Sequence, residues 1–284
     1  MFLRWIIVAA VLFALPVIGS GLTAEQTDFY QQQGYLIIKS LFTPAEVAKF
    51  IGQAEQATQY AQKLIEQQSQ PQGQWLKDIK VMDNGSQYVF DGHNQAIKRI
   101  VWVGASYPVL LAVGRDSRLT VPVSQLLQVA SLIHLINQLH PKHSGDGVAF
   151  GCHRDVENRL SFDPAWQGQS MVNGGFVQTF LALDPAHSGN GGIEIYSGSH
   201  NSEEPLKSML DQQQCQAALE ESYGASISPE LEPGDVIFFH PNVAHFSRAN
   251  KSSSSRRALI NGYASPGANH SVYPGTGSGE TIFP

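Results

Sequence analysis

"LEPGDVIFFHPNVAHFSRANKSSSSRRALINGYA", residues 231–264, begins with a Pro-Gly turn, runs into the apolar strand "DVIFF" and ends on a second strand-like run, "RRALINGYA". Between the two strands lie His245, Ser247 and Asn250, and Arg256 follows eleven positions past the histidine. Working back along the chain, the same period-two pattern recurs in "LIHLINQLHP", "GVAFGCHRD", "GGFVQTFLALD" and "GGIEIYSGS". Each run is short and bounded by Gly, Pro, Asn or Asp, which marks strands separated by tight turns. Ahead of them the signals are helical. Helices first and many short strands afterwards predict an α+β chain with a mostly β core, a helical layer supporting a β-sandwich or jelly roll. No repeat or inter-domain linker interrupts residues 22–284, so they read as one domain.

The helical part is specified by its caps. Thr23 and Gln26 have capping-box spacing for a short helix that stops at Gly34, and "YLIIKSLF" follows as a strand. Thr43 as N-cap, Pro44 in the first turn and Glu46 three after the cap predict a second helix start. Ala45, Val47, Phe50, Ile51, Ala54, Ala57, Ala61, Leu64 and Ile65 give that long helix one apolar face. The "EQQSQPQGQ" stretch reads as a loop, residues 71–99 as an elaborated polar loop over the core, and another helix is expected to start near Pro122.

Composition narrows the function. Of 284 residues, 42% are hydrophobic and 15% charged, which fits a globular chain with a sizeable core. A formal net charge of −6 and the lack of a basic stripe argue against a nucleic-acid partner. Two cysteines, Cys152 and Cys215, are too few for a disulfide framework; one bridge between them is possible, but the sequence does not support it, and Cys152 reads first as a small buried residue beside a site. At the N-terminus, Arg4 precedes an apolar run from Trp5 to Ile18, with Glu25 and Asp28 beyond it. Residues 1–21 therefore read as a signal peptide or membrane anchor that exports or tethers the chain. A start codon further downstream would instead leave a cytoplasmic protein. The sequons at Asn84, Asn250 and Asn269 arise often by chance and are not evidence of secretion. The sequence carries no signal of oligomeric state.

"GCHRDVENR", residues 151–159, places His153 and Asp155 two positions apart. On a strand, i and i+2 share a face, so both can meet one ion if a third ligand arrives from another strand. His245 follows "DVIFFH" and can reach across. Two histidines and one carboxylate leave three positions open on an octahedron, the arrangement of non-haem Fe(II) oxygenases. Beside such a site, the Arg256 guanidinium can hold the far carboxylate of a 2-oxo acid by paired charge-assisted hydrogen bonds, and Ser247 can add another. One open position would then serve O2.

These residues resemble the phytanoyl-CoA dioxygenase family of Fe(II)/2-oxoglutarate oxygenases. The resemblance rests on "FYQQQGYLIIKSLFTPAEV", "CHRD", "LALDPAHSGNGGIEIYSGSH" and "FFHPNVAHFSRANKSSSSRRALINGYA". "SGSH" stands where Pro-Gly-Ser-His is usual, and Arg154 replaces a Gln common between the ligands. The resemblance implies a double-stranded β-helix, iron ligation by His153, Asp155 and His245, and 2-oxoglutarate held at Arg256. It also implies hydroxylation, since family members that halogenate carry a small residue where Asp155 stands.

The remaining polar residues have plainer readings. His240 packs at a strand end and His200 closes the "SGSH" turn. His134, His140 and His143 take surface or supporting positions. Asn190 and Gly191 form a tight turn, while Lys142 and Asn137 either line the pocket or sit at a solvated strand end. Arg256 and Arg257 point to opposite faces of a strand, and Arg256 is assigned to the site. The expected activity is therefore hydroxylation of a C–H bond of a small-molecule or acyl substrate. The competing reading is a non-catalytic jelly-roll protein that keeps its metal site for sensing or binding. The substrate would be selected by residues 71–99 and by "ENRLSFDPAWQGQ", where Arg159 and Trp166 suit an anionic or ring-bearing molecule.

Overall fold

In the computed structural model the described residues are 21–67, 78–160, 172–202, 206, 212–268 and 273–284. The N-terminal segment 1–20, the Gln-rich stretch 68–77 and most of "ENRLSFDPAWQGQ" lie outside them. Among the described residues, no helix is long and apolar enough to cross a membrane.

Both predicted capping boxes are present. Helix α1 (Ala24–Gln33) is capped by Thr23 and closed by Gly34 in the left-handed region, and α2 (Pro44–Glu66) is capped by Thr43 and Glu46. The apolar face of α2 packs on the core, except that Ala45 is exposed in the first turn and Ile51 only half-buried. Strand β1 is only Tyr35–Ile38, because the chain turns at Ser40 with positive φ before α2 begins.

Residues 79–101 are not a loop. They form β2 (Ile79–Asp83), β3 (Ser86–Phe90) and β4 (Ile97–Val101), which extend the main sheet. Asn84 and Gly85 both have positive φ, giving the two-residue hairpin that Asn-Gly favours. The helix expected near Pro122 starts earlier: α3 (Pro108–Gly114) precedes it, and α4 (Ser117–Leu127) is N-capped by the Asp116 side chain accepting from the Arg118 N–H. Pro122 lies inside α4, where helix–sheet packing outweighs its local preference.

The remaining strands are β5 (Leu132–Lys142), β6 (Phe150–His153), β7 (Phe176–Ala182), β8 (Glu194–Ile195), β9 (Val236–Phe239), β10 (His245–Ser247), β11 (Arg256–Ala264) and β12 (Glu280–Ile282). Helices α5 (Asp155–Leu160) and α6 (Gln212–Tyr223) lie among them. The large antiparallel sheet runs β1-β9-β7-β11-β5-β4-β3-β2, with β12 also on β5, and the small one runs β6-β10-β8. This is the expected mostly β jelly roll with helices on one side. Alternation along β11 separates its two faces. Ala258 and Ile260 face the space between the sheets, whereas Leu259 and Tyr263 face the helical layer. Central strands such as β9 are buried on both faces, so they read as unbroken apolar runs.

His134 and Asn137 belong to the helix side of β5, not to the surface or the pocket. His134 stacks on Tyr263 and tilts against Trp102, with ring centroids 5.1 and 5.0 Å away. Asn137 accepts from the Gly104 N–H and donates to Leu110 O and Asn261 Oδ1. Just past the end of β9, His240 packs against Tyr30 and His200, and His200 lies beside Gln31 O at 2.9 Å. Burial lowers His134 to about 4 and His240 to about 3. Both folded values lie below that of an unfolded imidazole, about 6.5, so the unfolded chain takes up the protons first. Their contribution to stability is complete above pH ~6.5 and lost as the pH falls toward 4 and 3. Thermal melts of the metal-free protein should therefore drop below pH ~6.5, with His134 alone accounting for on the order of 3 kcal/mol by pH ~4. His134→Phe should show a shallower slope; an unchanged slope would remove His134 as its source.

Candidate active site

The two sheets enclose a cavity of about 560 Å³. Its metal-binding wall is set by the pairing of β10 with β6, which puts His245 directly opposite His153. Their ring centroids are 4.3 Å apart, and His153 Nε2 lies 3.8 Å from Asp155 Oδ1. One ligand atom from each of the three residues lies within 4.8 Å of the others. His153 Nδ1 donates to Gly151 O at 2.6 Å and His245 Nδ1 to Val243 O at 3.0 Å, an assignment that leaves both Nε2 atoms as acceptors for a cation. Burial holds His245 down at about 4, so its ring is neutral and able to ligate. Asp155 is 6% exposed, and its Oδ2 is buried without a hydrogen-bond partner among the described residues. A buried carboxylate oxygen left this way fits a site built for a cation.

Asp155 reaches the site by a different route from the one expected. It is not on a strand with His153: β6 ends at His153, and Asp155 is the first residue of α5. A strand-to-helix turn replaces strand alternation in bringing the two side chains together. The turn is held by Val156 N–H donating to Pro241 O at 3.0 Å and by Arg154, whose guanidinium donates to Ser199 O and Ser202 O. Arg154, at the position between the ligands, is thus a structural clamp. Cys152 is disulfide-bonded to Cys215, so it is not the isolated buried thiol expected. The packing of α6 on β10, through Leu219, Phe246 and Tyr196, brings the two Cα atoms within 6.3 Å, well inside bridging range.

Arg256 and Ser247 line the same cavity. Arg256 is 2% exposed, its Nε and Nη1 have no hydrogen-bond partner among the described residues, and burial lowers it to about 10. Arg257 faces the other way and is fully engaged, with Asp184 at 2.8 Å and Glu55 on α2 at 2.9 Å. The strand register thus turns Arg256, not Arg257, toward the cavity. Ser247 Oγ accepts from Lys142 Nζ at 2.7 Å. Lys142 is fully buried, so it is no solvated strand end, and burial with the nearby Arg256 charge lowers it to about 6.

Several lining residues carried no motif that would single them out: Arg99, Gln138, His140 and Gln178. Arg99 arrives on β4, at the end of the stretch 71–99 whose polar pattern reads as a loop, and Gln138 and His140 follow the pocket-facing alternation of β5. His140 stacks on Phe150 at 4.9 Å, and burial keeps it well below the usual imidazole range. His143, by contrast, sits outside the cavity lining with Nδ1 3.1 Å from Ser255 Oγ. Asn190 closes a turn by accepting from the His187 N–H, and Gly191 follows with positive φ, as expected of that pair. The sequon residue Asn250 is buried, donating to Lys142 O and Ser254 O, so its side chain faces no solvent.

The family model described as Phytanoyl-CoA dioxygenase (PhyH) matches residues 30–258. A Caenorhabditis elegans protein named "Probable phytanoyl-CoA dioxygenase" is 25% identical over 264 residues, covering 87% of this chain and 76% of its own. An ectoine dioxygenase of Sphingopyxis alaskensis is also 25% identical, over 244 residues, covering 81% and 71%. The structure of EctD from S. alaskensis with 2-oxoglutarate and 5-hydroxyectoine shares the fold, with a TM-score of 0.67 at 21% identity over 91% of this chain and 81% of that one.

The triad geometry predicts one Fe(II) or Mn(II) per chain. Calorimetric titration of the metal-stripped protein should give unit stoichiometry, and His245→Ala should weaken binding about a hundredfold or more. Undiminished metal affinity in that variant would remove His245 as a ligand.

Proposed function

The chain belongs to the phytanoyl-CoA dioxygenase family and is an Fe(II)- and 2-oxoglutarate-dependent dioxygenase, and on that premise we propose that His153, Asp155 and His245 hold the iron while Arg256, helped by Ser247, anchors the far carboxylate of 2-oxoglutarate. The observation that carries this reading is the pairing of the two walls: three convergent ligand atoms on one, and a buried guanidinium with unpartnered N–H groups on the other. Bound iron supplies the redox chemistry by which O2 is divided between two products: the substrate C–H becomes C–OH, and 2-oxoglutarate becomes succinate and CO2.

The protein's own contribution is placement and dryness. His153 and His245, each fixed by a carbonyl through Nδ1, present neutral Nε2 atoms, and Asp155 supplies the anionic ligand. Its carboxylate fills the position a halide would take, so the product is an alcohol. Arg256 fixes the co-substrate at its far end, while Phe150, Phe180, Phe239, Ile193 and Ile260 surround the reacting region with apolar surface. The substrate is a small molecule or an acyl group small enough to enter this cavity. Its class would be set by lining residues beyond the anchor, among them Arg99, Gln138 and Gln178.

Residues 1–21, by their apolar pattern, are proposed to act as an export signal or membrane anchor. The Cys152–Cys215 pairing supports this reading, because disulfides persist in oxidising compartments. Fractionation of cells expressing the full chain, with N-terminal sequencing of the product, should find it membrane-bound or cleaved near residue 21. An intact chain in the cytoplasm would overturn the assignment.

Arg256→Ala should weaken 2-oxoglutarate binding by about 2–5 kcal/mol, seen as a steep rise in its KM with metal affinity little changed. Arg256→Lys should recover part of that loss, keeping the charge without the planar fork. Arg257→Ala, which breaks only the Asp184 and Glu55 pairs, should leave the KM for 2-oxoglutarate near its original value. A larger defect in the Arg257 variant would reject Arg256 as the anchor.

A further inference from the structure

The cavity has a second cationic wall, away from Arg256. Lys80 on β2, Val89 on β3 and Arg99 on β4 are direct cross-strand partners, so their side chains share one face of the sheet. That face is the cavity's, since Lys80 and Arg99 both line it. Lys80 is exposed on the outermost strand, while Arg99 lies deeper and half-buried, where burial disfavours its charge. Among the described residues neither side chain forms a hydrogen bond or an ion pair. Asp78, whose charge acts on Arg99, is already paired with Lys98 at 2.8 Å. The next row of the same face adds a neutral donor. Gln138 Oε1 lies 3.1 Å from His140 Nε2, and when the ring donates there, the Gln138 amide keeps both its N–H groups for a ligand.

This wall is not needed by the co-substrate. Arg99 is on β4 and Arg256 on β11, with β5 between them, so two strand spacings, about 10 Å, separate the two positions across the sheet. The charge balance points the same way. Lys80, Arg99 and Arg256 are set against one lining carboxylate among the described residues, Asp155. A divalent ion and the 2-oxoglutarate dianion offset each other, so the excess of positive charge is left for the substrate. We propose that the substrate carries an oxyanion (a carboxylate, phosphate or phosphonate) gripped by Arg99, with Lys80 at the mouth, and that its apolar body lies along Ile136, Phe180 and Phe239 toward the metal ligands. This rests on the reading of the cavity as a dioxygenase site. A guanidinium suits such a group because its planar fork matches two oxygens at once. Phe239 marks the other end of the path, its ring 5.2 Å from that of His245.

The test uses the full chain loaded with Mn(II) and saturated with 2-oxoglutarate, so that nothing turns over. Three six-carbon probes differ only at one end: hexanoate, hexylphosphonate and the neutral hexanamide. Broadening of their proton signals by the bound Mn(II) reports both affinity and orientation. At least one of the anions should bind about tenfold or more tightly than hexanamide, with its methyl end nearest the metal, and the tighter anion names the headgroup. Arg99→Gln should abolish that preference and leave hexanamide, Mn(II) and 2-oxoglutarate binding unchanged. Lys80→Gln, at an exposed position, should reduce it about two- to fivefold. The proposal is overturned by equal binding of all three probes, by an anionic end nearest the metal, or by an Arg99→Gln defect that falls on 2-oxoglutarate. If Arg99→Gln does not fold, Lys80→Glu decides, since an unchanged preference in that variant removes the wall as an anion site. Arg256→Ala separates this inference from the reading beneath it. It should weaken 2-oxoglutarate and keep the preference for anionic probes, whereas loss of the preference there would place the probes in the co-substrate's position and sink the proposal. Should 2-oxoglutarate fail to bind the unmodified chain while the Arg99-dependent preference persists, the co-substrate reading falls and the oxyanion site stands.

Discussion

The site depends on one short backbone pairing, β10 between β6 and β8. His245 is opposite His153 on one side and opposite Ile195 on the other, and the register with β6 shifts between His245 and Ser247. Because side chains alternate along a strand, a slip of one residue would send His245 away from the cavity and bring the next residue, Phe246, toward it. It would displace Ser247 as well. A strand of three residues has little pairing energy of its own, so this register is secured from outside. The Ala244 N–H donates to Ser199 Oγ, and Phe246 packs with Tyr196, Leu206 and Leu219 on the far side.

The opposite wall shows the reverse economy. Burying an ion without a counter-charge costs several kcal/mol, and here Arg256 and Lys142 are buried together. The large sheet tolerates this because β5 and β11 are paired over nearly their whole length, so neither side chain can retreat to solvent without breaking the ladder. Arg257, one residue on, shows the ordinary solution: it turns to the helical side and is neutralised by Asp184 and Glu55. Stability given up at Arg256 and Lys142 is spent on an anion site that is already assembled before its ligand arrives.

Much of this was legible from sequence, for local reasons. Capping boxes are read from residues three apart, so α1 and α2 start where Thr23 and Thr43 say they do. Alternation puts Arg256 and Arg257 on opposite faces of β11, but the choice of Arg256 as the inward one rests on the family resemblance. What failed was mostly non-local. The β2–β3 hairpin has its Asn-Gly turn at Asn84–Gly85, but β2 ends the sheet with alternate residues exposed, so its apolar pattern is weak even though β3 is buried in the core. His134 and Asn137 sit on the buried helix side of β5, and only the packing of α3 and α4 decides that. Asp155 was correctly grouped with His153 by a rule about strands that does not apply to it, since the two flank a turn. The Cys152–Cys215 pair depends on where α6 docks, and a sequence separation of 63 residues carries no trace of that.

The disulfide and the Arg154 clamp answer a mechanical problem. β6 is an edge strand of four residues, hydrogen-bonded among the described residues only to β10, yet it carries one of the proposed iron ligands and leads directly to another. Edge strands are weakly held, and a ligand set must keep its geometry to within fractions of an ångström to retain a metal with open positions. Three ties from different directions stand in for the missing neighbour strand. Cys152 is bonded to α6, Arg154 holds the carbonyls of Ser199 and Ser202, and the Val156 N–H is bound to Pro241 O. They fall at the residues before, between and after His153 and Asp155, so the two ligands are fixed through the backbone while their own side chains remain available to the ion.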